Sequence, residues 1–286
     1  MSQTATRSTT PSTPPPPRAS AGPPSTLRTG LSRAAFETRL FFREKDAVIF
    51  TFSFPIVLLV IFGSIFSQEL EGTGLSVSQL YVAGLIGSAT MTGFQNLGIG
   101  IAMDRDDGTL KRLAGTPMPP AAYFAGKALN TLLVSAVQVA ILLAIGVAMF
   151  DLELPSALSD WLTFSWVFVL GVVGSSLLGV AASSLPRSGK SAGAVISMPF
   201  VVLQFISGVF IPAADLPDWL DRIASFFPLK WMCQGFRSVF LGDAGATLEA
   251  TGSYELGRVA LILGAWVIGG LVLCLTTFRW KGRRDG

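Results

Sequence analysis

Six stretches of this chain run for 20 residues or more without a single Asp, Glu, Lys or Arg, and no other feature limits its fold as much. They lie between Asp46 and Glu69, Glu71 and Asp104, Lys127 and Asp151, Asp160 and Arg187, Lys190 and Asp215, and Arg258 and Arg279. They hold 22, 32, 23, 26, 24 and 20 residues respectively. A helix needs about 20 apolar residues to cross the hydrocarbon of a bilayer, and an unpaired charge at its centre costs at least ~2.5 kcal/mol. Half of the residues are apolar, 14% are charged and the mean hydropathy is +0.57, whereas soluble domains carry about 25% charge. The expected fold is an all-α membrane protein with six transmembrane helices, at about 47–67, 79–103, 127–150, 161–185, 192–211 and 257–278.

Six crossings place both termini on one side. The segments on that side hold 17 of the 21 Lys and Arg, while the opposite side holds Arg222, Lys230, Arg237 and Arg258 beside eleven acids. The positive-inside rule puts the basic side, and so both termini, in the cytoplasm. The expected location is the cell membrane, plasma or inner.

Residues 1–30 carry twelve Ser or Thr and seven Pro with almost nothing apolar to bury, the composition of a disordered tail. No signal-peptide core precedes the first apolar segment, which must itself act as the targeting signal. The rest, 31–286, reads as one transmembrane domain. Within it, Leu31 to Asp46 forms a lopsided helical wheel: Leu31, Ala34, Ala35, Thr38, Phe41 and Phe42 share a face, and Phe36 and Leu40 fall off it. An amphipathic interfacial helix in the headgroup layer fits this pattern; a plain basic stop before a span fits the periodicity as well. Between the fifth and sixth spans, Pro217 and Pro228 punctuate two short amphipathic helices expected at the outer interface, with Trp219 and Trp231 as anchors.

The chain holds no His and two Cys, so His catalysis, His metal ligation and a zinc site are all excluded. No catalytic or metal-binding residue is expected, no nucleic acid, and no disulfide between Cys233 and Cys274. Ser184 to Ser191, SLPRSGKS, ends like a phosphate-binding loop, but Ser184 stands where the motif needs Gly and no strand precedes it. Any nucleotide energy must come from another chain. An intramembrane enzyme or an ion-driven carrier would need titratable groups in the spans, where there are none; a passive pore stays open.

Small residues recur every four positions in the second span (Gly84, Ser88, Thr92, Asn96, Gly100) and the fourth (Gly171, Ser175, Gly179, Ser183), the pattern of close helix packing. The larger amides Gln95, Asn96, Asn130, Gln138 and Gln204 are costly to bury without partners. They are candidates for a substrate path, with packing as the default.

The longest polar interruption on the basic side is Asp104 to Pro120. It contains Gly108-Thr109-Leu110-Lys111-Arg112-Leu113 and Thr116-Pro117, and is followed by Gly126-Lys127. Further on come Ser207-Gly208-Val209-Phe210-Ile211-Pro212, Leu216-Pro217 and Phe227-Pro228-Leu229. In this order, and between these spans, they resemble the ABC type-2 permeases, membrane subunits of exporters that include the daunorubicin-type drug exporters. The resemblance covers about residues 31–280; Asp104, Asp106 and Asp107 stand where many members have Glu.

The resemblance implies a permease that pairs with a second copy or a paralogue. It also implies two copies of a separate ABC ATPase, which binds the ATP and Mg while this chain binds no cofactor. The substrate would be amphipathic: drugs, lipids or, alternatively, a lipid-linked glycan or polysaccharide. The first helix and the loop after the second span would touch the ATPase, with Glu37, Arg43, Asp104, Asp107, Gly108, Leu110, Lys111 and Arg112 as the coupling residues.

Overall fold

The structure, a computed structural model, describes residues 26–70 and 73–277. The expected tail lies outside the described residues up to position 25. Its last five residues instead open a helix: α1 spans Thr26–Arg43. Then come α2 (Lys45–Ile65), α3 (Val77–Asp106), α4 (Thr109–Ala114), α5 (Pro120–Met149), α6 (Leu158–Ala182), α7 (Gly189–Ile206), α8 (Asp218–Phe226), α9 (Pro228–Phe240) and α10 (Leu256–Thr277). No strand forms among the described residues, and both cysteines are free. The protein is an all-α membrane protein.

Among the described residues, five helices are long and apolar enough to cross a membrane: α2, α5, α6, α7 and α10. The sixth candidate, α3, is as long as α5 at 30 residues but less apolar. The reason is its position. α3 is buried along most of its length by α2, α5, α6, α7 and α9, so its surface meets protein and can carry small and polar residues. α3 runs antiparallel to α5 from end to end. Near its start Gln79 donates to the Asp151 carbonyl just beyond α5 at 2.9 Å, at its middle Gly93 abuts Thr131, and at its end Asp104 pairs with Lys127.

The fourth-span stripe packs as expected, all on α3. A Cβ on Gly171 would stand 2.6 Å from Thr90, Ser175 donates to the Thr90 carbonyl, Gly179 abuts the Phe94 carbonyl, and the Ser183 carbonyl accepts from Arg105. On α3 itself close approach is not confined to one stripe. Gly84 abuts Val209, Gly87 abuts Cys233 on α9, and Gly98 abuts Ile196 on α7. Small residues on several faces are what a helix surrounded by neighbours requires.

The two short helices fall where their prolines place them, with Pro228 in the first turn of α9. They differ in depth. α9 is buried almost throughout, and Trp231 is 1% exposed, so it is a core residue and not an interface anchor. Trp219 on α8 is 62% exposed. Trp266, ten residues or about 15 Å into α10, donates to the Phe226 carbonyl at the α8–α9 turn. The hairpin therefore folds back along the bundle. A buried ion pair secures its far end: Arg237 donates to both Glu249 oxygens at 2.6 and 2.9 Å and to the Gly208 carbonyl at 2.7 Å.

α1 packs along the first turns of α5, Gly30 beside Ala125 and Thr38 donating to Asn130 at 3.0 Å. Its polar Glu37 is buried, whereas Leu31, Phe36, Leu40 and Phe42 are exposed. The apolar side chains, including the two off the expected face, look outward, the arrangement of a helix whose outer side meets acyl chains.

Candidate functional site

The charges of the basic end converge where α1, α3 and α5 meet. Lys127, opening the charge-free part of α5, lies 3.0 Å from an Asp104 oxygen and 3.4 Å from a Glu37 oxygen. Glu37 also pairs with Arg33 one turn earlier on α1, and Tyr123 donates to Asp104 at 2.6 Å. The Arg33 guanidinium and the Lys127 ammonium both stand over the Tyr123 ring, at 5.5 and 5.3 Å. Gly126 makes the approach possible, since a Cβ there would stand 2.5 Å from Arg33 Cγ. Each carboxylate is thus held by a cation, which is how charges survive at this depth.

Successive residues of a helix point about 100° apart, and the end of α3 uses this to reach a different neighbour with each side chain. Asp104 goes to α5. Arg105 donates to the Ser183 and Pro186 carbonyls at 2.7 and 3.2 Å, satisfying the end of α6. Asp106 accepts from the Gly189 backbone N–H at 3.0 Å, capping α7, where an acidic group is favoured by the helix dipole. Asp107 accepts from the Thr109 N–H at 2.8 Å and caps α4. Hydrogen bonds from the Thr109 side chain and backbone hold the Asp107 carboxyl below its ordinary range. Gly108, at φ +77°, turns the chain between α3 and α4, and a Cβ there would meet nothing within 4 Å.

The expected coupling residues divide by role. Leu110 is 2% exposed, packed with Leu97, Ile101, Tyr123 and Val180, so it anchors α4 to the bundle. Lys111 and Arg112 are exposed on that short helix, and Arg112 donates to Thr109 at 3.0 Å. Arg43 is exposed at the end of α1, beside Glu44 and Lys45.

The candidate path residues divide too. Asn130 accepts from Thr38, Gln138 donates to the Thr51 carbonyl at 3.0 Å, and Gln204 donates to Ser88 at 2.9 Å; these three join helices. Gln95 is half-buried and Asn96 exposed on α3.

Arg33, Arg105, Asp106, Tyr123 and Lys127 were not among the expected site residues. Arg33 has a sequence signal, its four-residue spacing to Glu37, and Lys127 another, since it bounds an apolar window. Tyr123 has none.

Comparison with known proteins agrees with this architecture. Relatives include a putative transport permease ycf38 of Porphyra purpurea, 28% identical over 233 residues, covering 77% of this chain and 78% of the relative. The probable multidrug ABC transporter permease YbhR of Escherichia coli K12 is 27% identical over 146 residues, 51% of this chain but only 39% of that protein. The inner membrane transport permease YadH of the same strain is 25% identical over 214 residues, 72% of this chain and 80% of the relative. The ABC-2 type transporter model matches residues 33–241, from α1 through the end of α9, and the chain belongs to that transport permease family.

Proposed function

We propose that the chain is the permease subunit of an ATP-driven exporter, moving amphipathic drugs or lipids out of the cytoplasm or inner leaflet. Two copies of a separate ATPase would work it, binding the ATP and Mg, and two permease chains would frame the path. In this reading α3 is the sixth crossing, which its antiparallel run along α5 supports. Six crossings leave both termini on the basic, cytoplasmic side of the cell membrane.

The observation that carries the reading is the junction at the end of α3. Four successive residues, Asp104 to Asp107, hold α5, α6, α7 and α4 respectively, and Lys127 brings α1 into the same cluster. A partner that grips Lys111 and Arg112 on α4, together with Arg43 at the end of α1, would displace the ends of five helices at once. Leu110 transmits the push inward and Gly108 sets its direction. Gln95 and Asn96 are then the amides left to face a substrate between the permeases. The name of YbhR, a probable multidrug ABC transporter permease, supports drugs as one substrate class.

Co-expression with an ABC ATPase encoded beside the chain tests this. The expected result is a complex whose ATP turnover requires the permease and which loads inside-out vesicles with amphipathic compounds. A permease that co-purifies with no ATPase, or a complex that moves nothing across a broad drug and lipid panel, contradicts it.

A further inference from the structure

At the end of the bundle opposite the α3 junction, the re-entrant hairpin and the start of α10 enclose a cavity of about 230 Å³ lined by Asp221, Arg222, Lys230, Trp231, Glu255 and Arg258, among others. Its charges nearly cancel in pairs. Lys230, 7% exposed at its side chain, is bonded to Asp221 at 2.5 Å and to Ser225 at 2.7 Å. Arg258 lies 3.3 Å from Glu255, and Glu249 on the cavity wall is consumed by Arg237 behind it. Three carboxylates, Asp221, Glu249 and Glu255, thus face four cations, Arg222, Lys230, Arg237 and Arg258, leaving one positive charge. Among the described residues Arg222 has no acidic partner, and Arg258 keeps a side chain 55% exposed with its guanidinium 5.2 Å above Trp231. The cavity offers an anion two arginine forks, the geometry best suited to phosphate oxygens.

The neighbouring surface is apolar. Trp219, Ile223 and Phe226 follow one another along α8 at helical spacing and are 62%, 46% and 67% exposed. Asp221 and Ser225 occupy the cavity side of the same helix, and Arg222 lies angularly between the two. One nine-residue helix therefore presents an apolar track and a singly positive polar cavity side by side. A phospholipid has that arrangement: acyl chains joined to a phosphodiester carrying one negative charge.

We propose that this cavity binds the phosphodiester headgroup of a membrane phospholipid through Arg222 and Arg258, with its acyl chains against Trp219, Ile223 and Phe226. The proposal rests on α10 crossing a bilayer and not on the export reading, because it needs no ATPase and no transport. Arg258, third residue of α10, stands at the depth where arginines reach headgroups.

Native mass spectrometry of the full chain, purified in a neutral detergent and stripped of lipid, tests it by titration with dioleoyl phosphatidylglycerol, dioleoyl phosphatidylethanolamine and dioleoylglycerol. Both phospholipids should bind at one copy per chain and dioleoylglycerol should not. R222Q/R258Q should weaken phospholipid binding at least about tenfold, whereas R222K/R258K should keep most of it. An unchanged thermal unfolding curve for each variant shows that the fold is intact, which the exposure of both arginines favours. The proposal is overturned if the glutamine variant binds equally, if dioleoylglycerol binds as well as the phospholipids, or if millimolar inorganic phosphate displaces them, which would make this a free-anion site.

Discussion

Gln138 on α5 donates to the carbonyl of Thr51 on α2 at 3.0 Å. Thr51 stands four residues before Pro55, and a proline has no N–H to complete that helical bond. Gln138 therefore supplies from another helix the donor that α2 lacks. An orphaned carbonyl inside a bilayer is costly, so the N–H side of this amide has a packing role, while its Oε1 is buried without a partner. Q138L should destabilise the protein by about 1 kcal/mol, and P55A should suppress the loss by returning the missing N–H. Thermal unfolding in detergent of the two single variants and the double variant measures the coupling; additive effects would contradict it.

The Arg237–Glu249 pair is the most deeply buried ion pair described, with side chains 0% and 1% exposed. Removing one partner strands a charge and should cost about 3–5 kcal/mol, while removing both should cost much less. R237L and E249L are each expected to lower the unfolding temperature far more than R237L/E249L does. Gly208 belongs to the same unit: at φ +79° it places its backbone where a Cβ would stand 2.8 Å from the guanidinium. G208A should therefore resemble R237L.

At the α3 junction one ammonium serves two carboxylates, so K127M strands Asp104 and leaves Glu37 with Arg33 alone. These side chains are 21% and 9% exposed, and partial solvation tempers the expected loss to about 1–3 kcal/mol. Y123F removes only one of the hydrogen bonds to Asp104 and should cost about 1 kcal/mol. Equal losses for the two variants would show that Lys127 does not organise the cluster.

Asp107 gives the α3–α4 turn a pH dependence. Its carboxyl titrates lower in the fold than when unfolded, so its contribution is complete above the ordinary carboxylate value and fades as pH falls through the lowered native value. Hydrogen exchange at the Thr109 amide should stay protected, after correction for intrinsic rates, from neutral pH down to about pH 4 and lose protection below that. D107A should lack the protection throughout.

Much of the bundle is legible in charge alone. Gaps between Asp, Glu, Lys and Arg locate α2, α3, α5, α6, α7 and α10 to within about two turns, because the cost of burying a charge is large and local. The exception is instructive: α3 has a charge-free window of 32 residues yet falls short on hydropathy, since its neighbours are helices. Pro217 and Pro228 announce the hairpin, but nothing in the sequence tells that Trp231 is enclosed while Trp219 is exposed. That depends on which face α3 and α6 cover. At the junction, the spacing of Arg33 and Glu37 is readable from one helix. The convergence of Asp104 with Tyr123 and Lys127 depends on the crossing of three helices, and local spacing holds no record of it. Leu110 shows the same limit: a residue of an exposed polar loop by sequence, it is the buried anchor of α4.

In the proposed mechanism, motion of a partner enters through α4 and spreads from the end of α3. Gly108 is the place to test it, because its positive φ sets the angle of α4 while a Cβ there would meet nothing within 4 Å. The decisive measurement is the ratio of compound exported to ATP hydrolysed for the G108V permease assembled with its ATPase in vesicles. The expected result is a complex that still assembles and still hydrolyses ATP but exports at least about tenfold less per ATP, a change of about 1.4 kcal/mol in coupling. An unchanged ratio would show that the turn at Gly108 carries none of the drive.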